Sequence, residues 1–335
     1  MQKYLLSVCI PTYNRSEYLK GLIKNILLES DKYNLSNELQ IVIVDGHSKD
    51  NTREMIKEFA SRKNFKFYSR SQNKGIDKDI IKAVEISDAE FCWFFSDDDR
   101  IGEGSLCYLL DVLRKEKDLT GCFINRNTYD FKLEKKVTEA TQWPGKIFSK
   151  NHLFVEKSDC ISTIGNDFGF LSSQLINTAR WKKALGDEDY GELYNSCYMF
   201  VHILFKMMDE DFRWKYIHRP LFMQRTGNDS FLTRVGVIKR QLIEHENLVN
   251  IMRRHYKKGT KEHQTFLKKM LNRLPRVMAN LKAQNISLST QVYLFKLHKK
   301  TYGSFGRFWY ALMPIYFVPN FALSYVKKFY FKYLI

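Results

Sequence analysis

Between residue 4 and about residue 118, four short apolar runs alternate with four segments of helical period. LLSVCIP, LQIVIVD, FKFYS and EFCWFF read as strands, and the segments starting near Glu17, Asp50, Asp77 and Glu103 read as the helices between them. A helix placed between two strands of one sheet carries the chain back to the end where it began, so successive strands run parallel. The expected class is therefore α/β, a Rossmann-like, mostly parallel sheet flanked by helices. In such a sheet a ligand sits beyond the carboxyl ends of the strands.

The polar residues gather where that rule puts a ligand. Thr12, Tyr13, Asn14 and Arg15 follow the first strand, Asp45 to Asn51 the second, and Asp97-Asp98-Asp99 the fourth. Three adjacent carboxylates repel one another, so a cation or a solvated turn must answer them. A carboxylate cluster at a strand end suits Mg²⁺ or Mn²⁺, which takes oxygen ligands and bridges them to a substrate's phosphates. Asp45 and Asp97 also suit ribose hydroxyls or a base edge as donors. Neither a P-loop nor GxGxxG is present, which argues against an ATPase cradle and a dinucleotide fold. A metal-bridged nucleoside diphosphate fits this rim best.

The stretches SVCIPTYNRSEYLKGLI, IVIVDGHSKDNT and NKGIDKDIIKAVEISDAEFCWFFSDDD keep their order and spacing over about the first 105 residues. Together they resemble the nucleotide-sugar-binding half of family 2 glycosyltransferases with the GT-A fold. The resemblance implies a transferase whose first motif lines the nucleotide, with Pro11, Thr12, Tyr13 and Arg15 in that role. It implies that Asp45 contacts the base and that Asn73, Gly75 and Asp79 form a third donor-side loop. Asp97 and Asp98 then fall nearest the ribose, and Asp99, together with Asp97, is the expected ligand of Mn²⁺ or Mg²⁺. By length and by its FSDDD wording the chain is similar to bacterial O-antigen and capsule transferases, among them abequosyltransferases. That implies a CDP- or UDP-sugar donor, with a deoxy- or dideoxyhexose such as abequose, and a lipid-linked saccharide acceptor.

Two departures from the family pattern stand out. Where the family reads Asp-Asp-Gly-Ser, this chain has Asp45-Gly46-His47-Ser48. Inverting members carry a general base in a Glu-Asp pair at the start of an acceptor-side helix, but here that helix begins YNSCYMFVH. The carboxylates Asp187, Glu188, Asp189 and Glu192 precede it, which leaves Glu188 and Asp189 as candidates for the base, against the alternative of a solvated loop. Arg225 and Asn228, in QRTGNDS, belong to a turn suited to closing over phosphates or acceptor, with His202 and His218 as candidate assistants. His202 also fits a core position on an apolar helix face, and His47 fits a local hydrogen-bonding role.

Beyond residue 118 the alternation loosens into strand-like pieces, LTGCFINRNTYDF and DFGFLSSQLI, and helices near 178–184 and 196–209. From about 232 the chain turns into long Lys/Arg-rich helical segments. Residues 1–230 hold 34 Lys+Arg against 34 Asp+Glu, and residues 231–335 hold 20 against 3, so the whole net charge of +17 lies in the last third. The expected organisation is a catalytic body over 1–230, with a donor half to 118 and an acceptor half from 119, followed by a basic helical region over 231–335. Basic charge with interleaved aromatics suits nucleic acid or an anionic membrane. The uncharged FWYALMPIYFVPNFALSYV, residues 308–326, is interrupted by Pro314, Pro319 and Asn320 and rich in Trp, Tyr and Phe. It reads as an in-plane membrane anchor with flanking lysines, and a packed helical cap is the alternative. A binding protein using the basic region on nucleic acid is the competing function, which the intact acid run disfavours. The six scattered cysteines show no CxxC pair or metal-ligand spacing, and the start is too short and too strand-like for a signal peptide. The expected location is the cytoplasmic face of a bacterial inner membrane.

Overall fold

The computed structural model describes residues 3–116, 118–138, 148–209, 212–227, 237–283, 286–319 and 322. The chain forms two compact units, residues 1–230 and 231–335. The first unit opens with β1 (Tyr4–Thr12), α1 (Ser16–Lys32), β2 (Leu39–Asp45), α2 (Thr52–Lys57), β3 (Phe65–Ser69), α3 (Ile76–Ile86) and β4 (Ala89–Phe94). β5 (Arg100–Ile101), α4 (Ser105–Lys115), β6 (Gly121–Tyr129), β7 (Lys136–Thr138), β8 (His152–Phe154) and α5 (Lys157–Ile164) follow. It ends with β9 (Gln174–Asn177), α6 (Thr178–Leu185), α7 (Met199–Met207) and β10 (Trp214–Arg225).

One sheet holds all ten strands in the order β3-β2-β1-β4-β9-β6-β10-β5, with β7 on β6 and β8 on β10. The alternating segment behaves as its crossovers require: β3, β2, β1 and β4 are mutually parallel neighbours. The sheet as a whole is mixed, because β9 runs antiparallel between β4 and β6. β1 and β2 are covered on both faces and consist of near-continuous apolar runs, as buried parallel strands do. On one face Leu19, Leu22, Ile23 and Ile26 of α1 and Leu106, Leu109, Leu110 and Leu113 of α4 follow the helical 3–4 spacing and fill the core against β1 and β4.

DFGFLSSQLI does not form one strand. Gly165–Gly169 and Leu171–Ser173 are single 3₁₀ turns, and only Gln174–Asn177 pairs in the sheet. The turns put this stretch's polar groups to work in the core: the Ser172 carbonyl accepts from Trp93 Nε1 at 2.8 Å, and the Ser172 hydroxyl turns toward the acid loop.

The second unit consists of helices Val237–His255, Lys261–Lys282 and Leu288–Tyr302, then a π-helical turn Phe308–Leu312 continued by a short helix Met313–Phe317. Thr260 and Ser287 cap the second and third helices, each side chain accepting a first-turn N–H. The buried Lys282 ammonium donates to the carbonyls of Ile315, Tyr316 and Val318 at 2.9, 2.8 and 2.7 Å, closing the open end of the short helix. His245 and His298 lie 5.0 Å apart, ring to ring, and hydrogen-bond Tyr302 and Tyr316. Burial holds both imidazoles neutral, depressing them to about 4 and about 3.

Among the described residues no helix is long and apolar enough to cross a membrane. Of the segment 308–326, Phe308, Ala311, Leu312 and Ile315 are buried, and residues 320, 321 and 323–326 lie outside the described residues. All six cysteines are free thiols.

Candidate active site

The carboxyl ends of β1, β2 and β4 meet in a network of buried carboxylates. Asp97, Asp98 and Asp99 are 3%, 9% and 5% exposed, so the run is not a solvated turn. The cation that answers it is Arg15, at the start of α1. Its guanidinium donates to Asp97 at 2.7 Å and to Asp98 at 2.9 Å, bridging the two acids. Thr12 Oγ1 donates to the other Asp97 oxygen at 2.8 Å. Asp99 accepts from Ser172 Oγ at 2.7 Å and from the Arg225 backbone N–H at 3.0 Å, while Arg225 Nε donates to the Asp98 carbonyl. Even so, burial pushes Asp97 and Asp99 up to about 7, and the charge of Asp98 adds to the rise.

Beside it lies Asp45, fully buried at the end of β2. It accepts from the Ser48 N–H, Ser69 Oγ and Arg53 Nε at 2.9, 2.8 and 3.2 Å. The Gly46 N–H donates to the Thr12 carbonyl at 2.9 Å. A Cβ on Gly46 would fall 2.9 Å from Asp79 Oδ2, so a side chain here would have to displace the Asp79 carboxylate from its place beside the first two loops. His47 stands where the family has its glycine and takes up the left-handed conformation, φ 72°. Its ring contacts the Arg70 carbonyl, Arg53 and Lys49, which is the local hydrogen-bonding role. Asp50 accepts the N–H groups of Ser16 and Thr52, holding the starts of α1 and α2 together.

The third loop joins the same rim. Asn73 Oδ1 accepts from the Gly75 N–H at 2.8 Å, and Gly75, φ 83°, leads into α3. Asp79 is buried and paired with Arg70, whose guanidinium also reaches the Lys78 carbonyl. Sequence reasoning passed over Arg70, Ser172 and Asp77. Asp77, on the buried side of α3, accepts from the backbone N–H groups of Cys197 and Met199 at 2.7 and 3.0 Å, at the first turn of α7. The helix start that lacks its own carboxylate thus receives one from α3. Burial pushes Asp77 up to about 7, against the pull of these two N–H groups. No spacing along the chain signals this pairing, which spans 120 and 122 residues.

The other candidates lie elsewhere. Glu188 and Asp189 sit on an exposed loop, Glu188 paired with Lys206 at 3.0 Å and Asp189 accepting from the Gly191 N–H. Glu188 and Asp187 line an open groove of about 460 Å³ with Tyr68, Arg70, Lys78 and Tyr194. His202 is half-buried on α7, edge-on to Tyr190. The His218 backbone is held by Asn125 and Asn151. Pro11 is buried in β1, and Asn228 lies outside the described residues. Among the described residues no three His, Cys, Asp or Glu side chains converge as a ready metal cage.

The model of the glycosyl transferase family 2 domain matches residues 7–173. The abequosyltransferase RfbV of Salmonella typhimurium is 28% identical over 344 residues, covering 96% of this chain and all of its own. A GalNAc(5)-diNAcBac-PP-undecaprenol β-1,3-glucosyltransferase of Campylobacter jejuni is 24% identical over 60% of this chain and 63% of its own. Among solved structures, residues 1–349 of S. aureus TarS in complex with UDP-GlcNAc superimpose with a TM-score of 0.61 at 15% identity, over 89% of this chain and 81% of that one. A mannosyltransferase from Pyrobaculum calidifontis, in complex with GDP-Man and Mn²⁺, gives 0.53 at 13% identity over 97% and 87%.

Proposed function

Because this chain belongs to glycosyl transferase family 2 and is a glycosyltransferase, we propose that it moves a sugar, such as a deoxy- or dideoxyhexose, from a nucleoside diphosphate to a lipid-linked saccharide in bacterial surface-polysaccharide synthesis. The observation that carries this reading is the buried acid network, in which Arg15 and Thr12 lock Asp97 beside Asp45 at the strand ends. Asp45 and the Pro11–Thr12–Tyr13 strand end take the base, Asp97 and Asp98 the ribose, and Asn73, Gly75 and Asp79 flank the donor. The full-length likeness to an abequosyltransferase supports a dideoxyhexose as the sugar, carried on CDP or UDP, and the name of the Campylobacter relative supports an acceptor linked to a lipid by pyrophosphate.

The donor set fits Mn²⁺ or Mg²⁺. Asp99 and Asp97 offer hard oxygen donors side by side in a buried loop at the strand ends, and such ions are bound through one or two carboxylates plus substrate phosphates rather than a protein cage. When bound, the ion supplies charge neutralisation on the departing diphosphate. The chain's own residues do the rest. Arg15 orients Asp97 and Asp98, Ser172 and the Arg225 N–H fix Asp99, and Arg225 stands at the strand end where a diphosphate arrives. Glu188 or Asp189 takes the proton from the acceptor hydroxyl, with the groove of Tyr68, Lys78 and Tyr194 holding the acceptor saccharide. The basic second unit brings the enzyme to the cytoplasmic membrane surface where a lipid-linked acceptor lies.

A thermal-shift series with UDP, CDP, GDP and dTDP, each with Mn²⁺ or EDTA, tests the reading on wild type and Asp99→Asn. One nucleotide should raise Tm with metal alone, and Asp99→Asn should remove that rise. If no nucleotide stabilises the metal-supplemented protein, the donor assignment fails. Glu188→Gln and Asp189→Asn then report on the base through kcat at unchanged donor affinity.

A further inference from the structure

We propose that the second unit docks on an anionic lipid bilayer through a composite face built from helix Leu288–Tyr302 and the turn that follows it, rather than through a continuous apolar anchor. This deepens the membrane part of the proposed function and rests on it only for the identity of the acceptor.

Large apolar side chains are exposed here in unusual number. Leu288 is 76% exposed, Val292 45%, Tyr293 51%, Trp309 44%, Tyr310 54% and Phe317 69%. Leu288, Val292, Phe295 and Lys299 follow one another at three- and four-residue steps, so they form one stripe along the helix. Ring contacts join the stripe to the following segment: Phe295 meets Phe317 at 6.0 Å, and the Lys299 ammonium lies 5.8 Å from the Trp309 ring. The platform beneath is fixed. Phe308, Leu312 and Ile315 point inward, and Lys282 holds the carbonyls of residues 315, 316 and 318. The apolar side chains of the 308–317 segment are thus divided between a buried set and an outward set.

Charge selects the occupant. Residues 288–317 contain no Asp or Glu, and Lys296, Lys299, Lys300 and Arg307 accompany the apolar side chains. A second copy of this chain would set one basic surface against another, since residues 231–335 hold 20 Lys+Arg against 3 Asp+Glu. A nucleic acid would meet the cations but leave Leu288, Val292 and Phe317 in water. An anionic bilayer satisfies both sets, with aliphatic and aromatic side chains below the headgroups, Trp309 and Tyr310 at the boundary, and lysines reaching to lipid phosphate.

Co-sedimentation of the full chain with vesicles tests this, without nucleotide, so the outcome does not depend on the donor site. Phosphatidylcholine vesicles containing phosphatidylglycerol should retain the chain, and pure phosphatidylcholine should not. Leu288→Glu with Phe317→Glu, at positions exposed enough to leave folding intact, should lower retention at least tenfold by order of magnitude. Trp309→Phe should remove most of the fluorescence change on lipid addition. Equal retention on both vesicle types, or full retention of the double variant, overturns the proposal. So does a dimer in sedimentation velocity that the double variant dissociates while no vesicle binds.

Discussion

Replacing Asp77 by asparagine should change the pH dependence of stability by an amount that the geometry fixes. The carboxylate is 2% exposed and ordinarily titrates near 3.8, but in the fold it is pushed up to about 7 by burial. Between those values the native state binds a proton that the unfolded chain has released. The stability this group contributes is therefore complete below about pH 4 and is lost as pH rises through 7. From pH 5 to pH 8 the linkage relation makes the loss about 3 kcal/mol. An amide at this position does not titrate, so Asp77→Asn should lose about 3 kcal/mol less than wild type across that interval. The amide keeps one acceptor for the Cys197 and Met199 N–H groups and places its own N–H₂ against the other, so at pH 5 the variant should also be less stable by about 1–2 kcal/mol. Urea unfolding of both proteins at pH 5 and pH 8 measures the two quantities. Identical wild-type and variant pH dependence would refute the argument that burial outweighs the two N–H bonds.

Three further outcomes follow from the same geometry. Arg15→Ala leaves Asp97 and Asp98 buried without their shared cation and should cost about 3 kcal/mol, with Arg15→Lys recovering only part because it cannot bridge both acids; urea midpoints decide. Gly121→Ala puts a Cβ 2.6 Å from both the Leu175 carbonyl and the Trp214 ring, so it should destabilise by about 2 kcal/mol or more, and a wild-type midpoint would contradict that packing. In the second unit, His245 stays neutral when folded but takes a proton near pH 6.5 when unfolded, so its contribution is present above that pH and is lost as pH falls toward 4. His298, which lies in helix Leu288–Tyr302 and is depressed further, to about 3, adds as much again, so hydrogen exchange in that helix, corrected for intrinsic rates, should show protection about 4 kcal/mol weaker at pH 5 than at pH 7.

The parallel strands and the acid rim at their ends were legible because their signals are local. Each strand is one apolar run, a polar loop follows directly, and Arg15, Asp45 and Asp97 sit within a few residues of a strand end. What the sequence concealed is contact between distant segments. Asp77 looks like any first-turn acid of α3 until α7 arrives to use it. Ser172 lies in a stretch whose apolar pattern suggests a strand, and its hydroxyl serves Asp99 only because the backbone curls into 3₁₀ turns. The composition of the uncharged run gives no sign that Phe308, Ala311, Leu312 and Ile315 face inward, because that depends on packing against other helices, one of which also supplies Lys282 to the carbonyls of Ile315, Tyr316 and Val318.

β10 spans twelve residues at the side of the sheet, with a break in its register between Ile217 and Phe222 that contains Pro220. Below the break its outer edge is covered by β8, and above it by β5, two residues long. An uncovered strand of that length would present a row of free N–H and C=O groups to any other chain. The peptide that closes the upper part is the one that carries Asp97 to Asp99 into Arg100 and Ile101. The edge cover and the acids proposed to hold the donor therefore share a single turn of backbone. A substitution that frees Ile101 from Phe222 should loosen the acids and expose a sticky margin together, so loss of activity from this loop should come with aggregation.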